Sequence, residues 1–297
     1  MVRPMTIISA SQVKELRERT GAGMMECKKA LTESNGDMDL AIENLRKAGI
    51  AKAGKKAGRV AAEGVIVIKT NGKQAAMVEV NCETDFVARD TNFTAFVNAV
   101  AETALQAKEQ DVAKLSALTL QGAGKTVEEV RHELISKIGE NVQIRRVVIS
   151  SAAATSVGTY LHGARIGVMV ELDTDNTDLA RDVAMHIAAS KPIVVSPENV
   201  SADIVAKEKE IYMAQAAGSG KPQDIIEKMV AGRLKKYLDE VSLIGQPFVK
   251  DPDTTVGALL SKNRAKVLAF YRYEVGEGIE KVSEDFAEAV MSQVQGG

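Results

Sequence analysis

The sequence predicts an α+β protein, and three observations carry that reading. β-Branched runs ending at turn residues are followed by helices with a single apolar stripe. The first fifty residues hold only helical periodicity. One strand-to-helix segment occurs twice: Met77-Val78-Glu79-Val80 recurs as Met169-Val170-Glu171-Leu172, and Val87-Ala88-Arg89-Asp90 as Leu179-Ala180-Arg181-Asp182, with no gap needed between the copies.

Val13 and Leu16 mark a first helix, which stops at Thr20-Gly21-Ala22-Gly23. Met24, Cys27 and Leu31 line one side of a second. Asn35-Gly36 is a turn, Asp37 caps a third helix with apolar face Met38, Ile42 and Leu45, and Gly49 fits its C-terminal end. Three helices this short give a marginal core. Two similar halves follow. In the first, strands over 64–70 and 75–80 join at the hairpin signal Asn71-Gly72. Helices over 91–108 and 127–138 and a strand over 143–150 complete it. The second half repeats the pattern with strands over 157–162 and 166–172, a helix over 177–190, a helix near 255–263 and a strand over 267–275. Each half is thus a β-β-α-α-β unit with antiparallel strands. Pro197 and Pro222 bracket an insertion of two helical runs, 202–217 and 223–238, joined by Gly218-Ser219-Gly220-Lys221-Pro222. So short a joint demands an antiparallel helical hairpin, about 25 Å long. The expected divisions are 1–59, three-helix module and basic linker; 60–155, first repeat; 156–195, second repeat, first part; 196–243, hairpin; 244–279, completion of the second repeat; and 280–297, a C-terminal helical module.

Composition excludes several function classes. The 297 residues carry a net charge of -2, against a general nucleic-acid binder. Residues 1–59 hold twelve Lys or Arg against seven Asp or Glu. The acid-free basic run 46–59 reads first as a solvated linker face, with RNA contact as the alternative function. Cys27 and Cys82 show no disulfide framework and read as free thiols in a reducing cytosol. No apolar run approaches the roughly 20 residues of a membrane helix. Met5 is a candidate natural start. Gly122-Ala123-Gly124-Lys125-Thr126 fails as a P-loop, because Thr119 stands where that motif has its first glycine, and it reads as a flexible loop. His132, His162 and His186 lack metal spacing. Glu83 and Asp85, on one loop without a pocket, read as solvated or capping. No cofactor, metal site, enzyme activity or direct nucleotide binding is expected.

The most informative stretch is Asn81-Cys82-Glu83-Thr84-Asp85-Phe86-Val87-Ala88-Arg89-Asp90. The helix after it is complete without Phe86, with Phe93, Phe96, Val97, Val100 and Ala104 on one face and Asp90 or Thr91 as cap. Phe86 is left in a polar loop. An aromatic usually packs onto the core, but the second copy holds Asp178 at this position. The shared fold therefore does not need a ring there, which favours a partner contact.

Thr84-Asp85-Phe86-Val87-Ala88 resembles the signature loop of the bacterial elongation factor Ts family, nucleotide exchange factors for elongation factor Tu. Val13-Lys14-Glu15-Leu16-Arg17-Glu18-Arg19-Thr20-Gly21-Ala22-Gly23-Met24-Met25 resembles its N-terminal motif, and Tyr160-Leu161-His162-Gly163-Ala164-Arg165-Ile166-Gly167-Val168 a central one. The resemblance implies a ubiquitin-associated-like N-terminal domain, a coiled-coil or dimerisation role for the hairpin, a cytoplasmic location, and RNA association only through the partner. It admits a homodimer or a heterotetramer with elongation factor Tu. It also implies that Phe86 is a wedge beside the partner's magnesium and phosphate site, with Asp85 acting on the polar network around the metal and Thr84 and Val87 framing the loop. Lys28, Ile138, Gly139 and Val249 match further contact positions, and His162 is expected to face a more distant domain of the partner. Lys250 stands where the family often has Met.

Overall fold

The first and third helices begin on side chains that accept from their free backbone N–H groups. The computed structural model describes residues 8–218 and 222–280; the expected start at Met5 and all but the first residue of the expected C-terminal module lie outside the described residues. Ser9 and Gln12 form a capping box at α1 (Ala10–Thr20), and Gly21 closes it in the left-handed region, φ 68°. α2 (Met24–Glu33) follows, and Asp37 accepts from the Leu40 N–H to start α3 (Met38–Lys56). Val13, Leu16, Cys27, Ala30, Leu31 and Ala41 are buried together. Met24, expected on the buried side of α2, is instead 60% exposed; Ala30 takes the inward place. α3 also does not stop at Gly49. It runs on to Lys56, and Gly49 is the buried point where α3 approaches a later helix, a Cβ there lying 3.7 Å from the Ser136 Cβ. The basic run is thus mostly helix, not linker.

The chain divides into two compact units. One takes the described residues up to Val67, with Val78–Val147 and Val275 onward; the other takes Ile68–Met77 and Val148–Glu274. β1 (Glu63–Thr70), β2 (Ala75–Cys82) and β3 (Gln143–Ile149) form a sheet in the order β1-β2-β3. The central strand, β2, is buried at every residue, Glu79 included. That carboxylate accepts from Arg146 Nε at 2.5 Å, Arg145 Nη1 at 3.0 Å and the Gly276 N–H at 2.9 Å. Burial pushes the Glu79 carboxyl up, but the Gly276 amide and the two guanidiniums outweigh it and hold the group below its ordinary range. The first unit also holds α4 (Asp85–Ala88), α5 (Thr91–Ala107), α6 (Val112–Ala117) and α7 (Val127–Ile138). α4 and α6 were not expected from periodicity, since neither is long enough to show one. The 122–126 segment is a closed turn, not a flexible loop: Leu120 N–H donates to the Lys125 carbonyl at 2.8 Å, Thr119 bridges Thr126, and Gly122 and Gly124 take positive φ.

In the second unit β4 (Ser156–His162), β5 (Ile166–Leu172) and β8 (Val267–Glu274) form an antiparallel sheet with β5 central. α8 (Thr177–Ser190) packs on it, burying Leu179, Ala180, Val183 and Ile187 against Val168 and Val170. α9 (Ala202–Ala217) and α10 (Gln223–Val241) are the expected hairpin, with Ala216, Ile226 and Val230 buried near its joint. Its two ends meet: Ile193 N–H donates to the Val241 carbonyl at 2.9 Å, and Val194 bridges Ser242. A two-stranded ribbon not foreseen in the sequence, β6 (Pro247–Phe248) with β7 (Asp251–Thr255), precedes α11 (Val256–Lys262).

Gly158 fixes how closely α8 lies on β4. A Cβ there would meet the Ala180 carbonyl carbon at 2.2 Å. Gly158→Ala should cost about 3 kcal/mol by overpacking against backbone, measured by denaturant unfolding. Gly232→Ala, with nothing within 4 Å on α10, should instead stabilise by about 0.5–1 kcal/mol.

Candidate functional site

Phe86 is 81% exposed, more than any other large apolar side chain among the described residues. Its presentation follows from how one sequence is read in two ways. In the second copy, Leu179-Ala180-Arg181-Asp182 lies inside the continuous helix α8, and Asp182 pairs with Lys250 Nζ at 2.6 Å. In the first copy the same pattern breaks. Asp90 Oδ1 accepts from the Asn92 N–H at 2.8 Å and the Phe93 N–H at 3.1 Å and starts α5 afresh. These amides, Phe93's first, hold the Asp90 carboxyl below its ordinary value. The residues after the Asp decide the difference: Thr91-Asn92 favours a helix start, whereas Val183-Ala184 continues one. What precedes the break is left as the single turn α4. Phe86 and Asp178 are both exposed, so the outward direction of this position belongs to the repeat and the ring to the first copy alone.

The turn is held from below. Thr84 is its N-cap, its hydroxyl accepting from the Val87 N–H at 3.3 Å. Val87 is buried and seats the turn. Asp85 is exposed and pairs with Arg89 at 3.0 Å. Glu83 is not solvated, contrary to expectation. Its Oε1 accepts from the Asn141 N–H at 2.6 Å, and its Oε2 faces Arg59 at 3.5 Å. The Cys82 thiol donates to the Thr84 carbonyl at 3.1 Å; burial, with the Glu140 charge adding, pushes it up to about 12, so it stays protonated. Behind the loop, Gly139 closes α7 with φ 87°, its carbonyl accepts from Lys56, and Ile138 beside it is half-buried. Asn141 Nδ2 donates to the Arg59 carbonyl at 2.8 Å. The end of α3, the α7–β3 turn and the Phe86 turn are therefore one hydrogen-bonded network within the first unit.

Lys28, His162 and Val249 are not among the residues of this network. Lys28 is exposed on α2, where Met24 stands one helical turn before it and Met25 is 75% exposed. Met25 was missed because no periodicity marks an outward methionine. The basic run 46–59 is largely engaged within the chain, through Arg46–Glu129, Lys47–Glu43, Lys52–Glu26, Lys56–Gly139 and Arg59–Glu83. In the second unit, His162 is exposed at the end of β4 and stacks on Tyr160, centroids 6.5 Å apart. Val249 is exposed, while its N–H donates to Nδ1 of buried His186 at 3.2 Å. The other ring nitrogen, Nε2, faces Gln246 Oε1 at 3.0 Å and so carries the proton. Burial lowers the His186 value, which keeps that neutral form. Among the described residues no group of three or more His, Cys, Asp or Glu is placed to hold a metal, and no helix is long and apolar enough to cross a membrane.

The family model described as elongation factor TS matches residues 83–277. The chain is 60% identical to elongation factor Ts of Thioalkalivibrio sulfidiphilus, over 97% of this chain and 99% of that one. It is 56% identical to elongation factor Ts of Alkalilimnicola ehrlichii, over 97% and 99%, and 56% identical to that of Legionella pneumophila, over 98% and 100%.

An exposed ring contributes little to its own fold. Phe86→Ala should lower unfolding stability by less than about 1 kcal/mol, whereas Phe93→Ala, fully buried on α5, should cost about 3–5 kcal/mol. Denaturant midpoints of the two variants check this.

Proposed function

The chain belongs to the elongation factor Ts family of translation elongation factors, and from that premise we infer that it is the nucleotide exchange factor of elongation factor Tu. It binds the partner's GDP form and promotes GDP release by disturbing the magnesium and phosphate site. The observation that carries this reading is Phe86, a large apolar ring held out in water on a turn that is fixed from beneath.

The physical mechanism is linkage, with no bond made or broken. If the factor and GDP-Mg²⁺ each weaken the other's hold on the partner, the two effects are equal in free energy. Burying a Phe side chain gains about 2 kcal/mol, equivalent to about thirtyfold in an equilibrium constant. That gain drives exchange only where the cavity for the ring opens as the nucleotide site is disturbed; a ring bound equally in both partner states would add affinity alone. Asp85 follows Phe86 into the site and acts on the polar network around the metal. Thr84 and Val87 keep the turn rigid, so little of the gain is lost to ordering it.

Docking is a separate task. Met24, Met25 and Lys28 offer an apolar and cationic patch on α2. Ile138 and Gly139 add contact beside the wedge, and His162 and Val249 serve a second surface on the other unit. The hairpin is peripheral to exchange, because its ends are joined at Val194 and Ser242 without it. The work is cytoplasmic and needs no cofactor. Deleting the N-terminal module would not isolate docking, since α3 ends in the network behind Phe86; point substitutions do.

Release of a fluorescent GDP analogue from elongation factor Tu tests the reading. The protein should accelerate release. Phe86→Ala should cut the maximal rate by about thirtyfold while still binding nucleotide-free partner. Paired Met25→Ala and Lys28→Ala changes should raise the half-saturating concentration by about tenfold and leave the maximal rate intact. No acceleration by the unaltered chain would overturn the proposal.

A further inference from the structure

The Phe86 turn is too short to hold itself. α4 has four residues, and a helix of one turn is below its own nucleation cost. The matching start in the second copy does not face this difficulty. Asn176 stands where the first copy has Thr84; its side chain accepts from the Leu179 N–H at 3.1 Å and its N–H goes to neutral acceptors, the Thr174 carbonyl and the Ser156 hydroxyl of β4. That cap heads a fourteen-residue helix.

In the first copy a carboxylate from another element supplies what the missing helix does not. Glu140 Oε2 accepts from the Glu83 N–H at 3.1 Å and the Thr84 N–H at 3.0 Å. Its Oε1 accepts from the Thr84 hydroxyl at 2.7 Å. A threonine hydroxyl has one proton. Donated to Glu140, it leaves the oxygen's lone pairs free to receive the Val87 N–H, which is the cap of the turn. The grip is mutual, since Glu83 Oε1 accepts from the Asn141 N–H. Charge-assisted bonds of this kind are roughly twice as strong as neutral ones.

We propose that Glu140 is the positioning residue of the exchange wedge: its carboxylate orients the Thr84 hydroxyl and fixes the direction in which Phe86 is presented. The inference rests on the exchange reading of Phe86 for its consequence, though not for its geometry. Glu140 acts through Phe86 and itself touches neither nucleotide nor metal.

Two measurements on the full-length protein test it. Amide exchange of Glu83 and Thr84 reads the geometry: both N–H groups should be protected in the unaltered chain, exposed in Glu140→Ala, and largely protected in Glu140→Gln, whose amide oxygen still accepts. Stimulated GDP release reads the consequence. Glu140→Ala should lower the maximal rate by about tenfold with unchanged half-saturation by nucleotide-free partner, and Glu140→Gln should recover only part of that, since its oxygen keeps the two N–H groups while its NH2 cannot accept the Thr84 proton. In the Phe86→Ala background, Glu140→Ala should add nothing. Retained protection in Glu140→Ala, or the same tenfold loss on top of Phe86→Ala, overturns the proposal. If Phe86→Ala alone exchanges at the unaltered rate, the exchange reading fails, and the amide measurement alone decides whether Glu140 positions the turn. Thr84→Val, which removes only the hydroxyl, covers the case in which Glu140→Ala does not fold: it should lower the maximal rate in the same way, and an unchanged rate overturns the proposal.

Discussion

A large apolar ring kept in water on one turn of helix has to be held there by something other than that helix. Here the constraint is met by buried and half-buried polar groups that converge on Thr84: a carboxylate from the α7–β3 turn, a thiol from β2 and the N–H of Val87. The rest of the first unit supports this junction. The buried central strand β2 ends at Cys82, just before Glu83, and α7 ends at Gly139 so that Glu140 faces the residues that follow. α3 extends past Gly49 to place Lys56 and Arg59 behind the same turn. Hydration of the ring is the standing cost, about 2 kcal/mol, and it is recovered only when something covers it.

The duplication shows how little sequence change produces such a feature. Both copies carry Ala-Arg-Asp at matching positions, and both position a polar cap ahead of it, Thr84 in one and Asn176 in the other. In the second, Asp182 is a helix-surface residue tied to Lys250, and Gly158 lets the helix lie against its strand. In the first, Asp90 becomes a new cap. Breaking one helix into two detaches a turn from the core packing and frees it to carry an exposed residue.

Local signals were legible in the sequence; distant polar pairings were not. The strands around Asn71-Gly72, the helix bearing Phe93 and Phe96 and the two hairpin helices follow from periodicity and turn chemistry, which act within a few residues. Gly49 misleads as a helix end because α3 runs on through it to Lys56, its weak helix propensity yielding to the packing of a buried helix face. The basic run misleads in the same way, since the carboxylates and carbonyl that receive it come mostly from elsewhere in the chain. The exposed ring was foreseeable from the Asp178 replacement in the repeat. Glu140, far from Thr84 in sequence, carries no local mark of its role. Lys250, anomalous beside the family's usual methionine, finds its reason only in Asp182 across the second unit.

The central claim is that the Phe86 ring leaves water when the partner loses its nucleotide. The chain contains no tryptophan, so Phe86→Trp gives a single reporter at that position. Its emission, with the complex of the unaltered protein subtracted, should shift to the blue on mixing with nucleotide-free elongation factor Tu and return on addition of GDP and Mg²⁺. Emission that stays at the water-exposed wavelength while the complex forms would contradict the account.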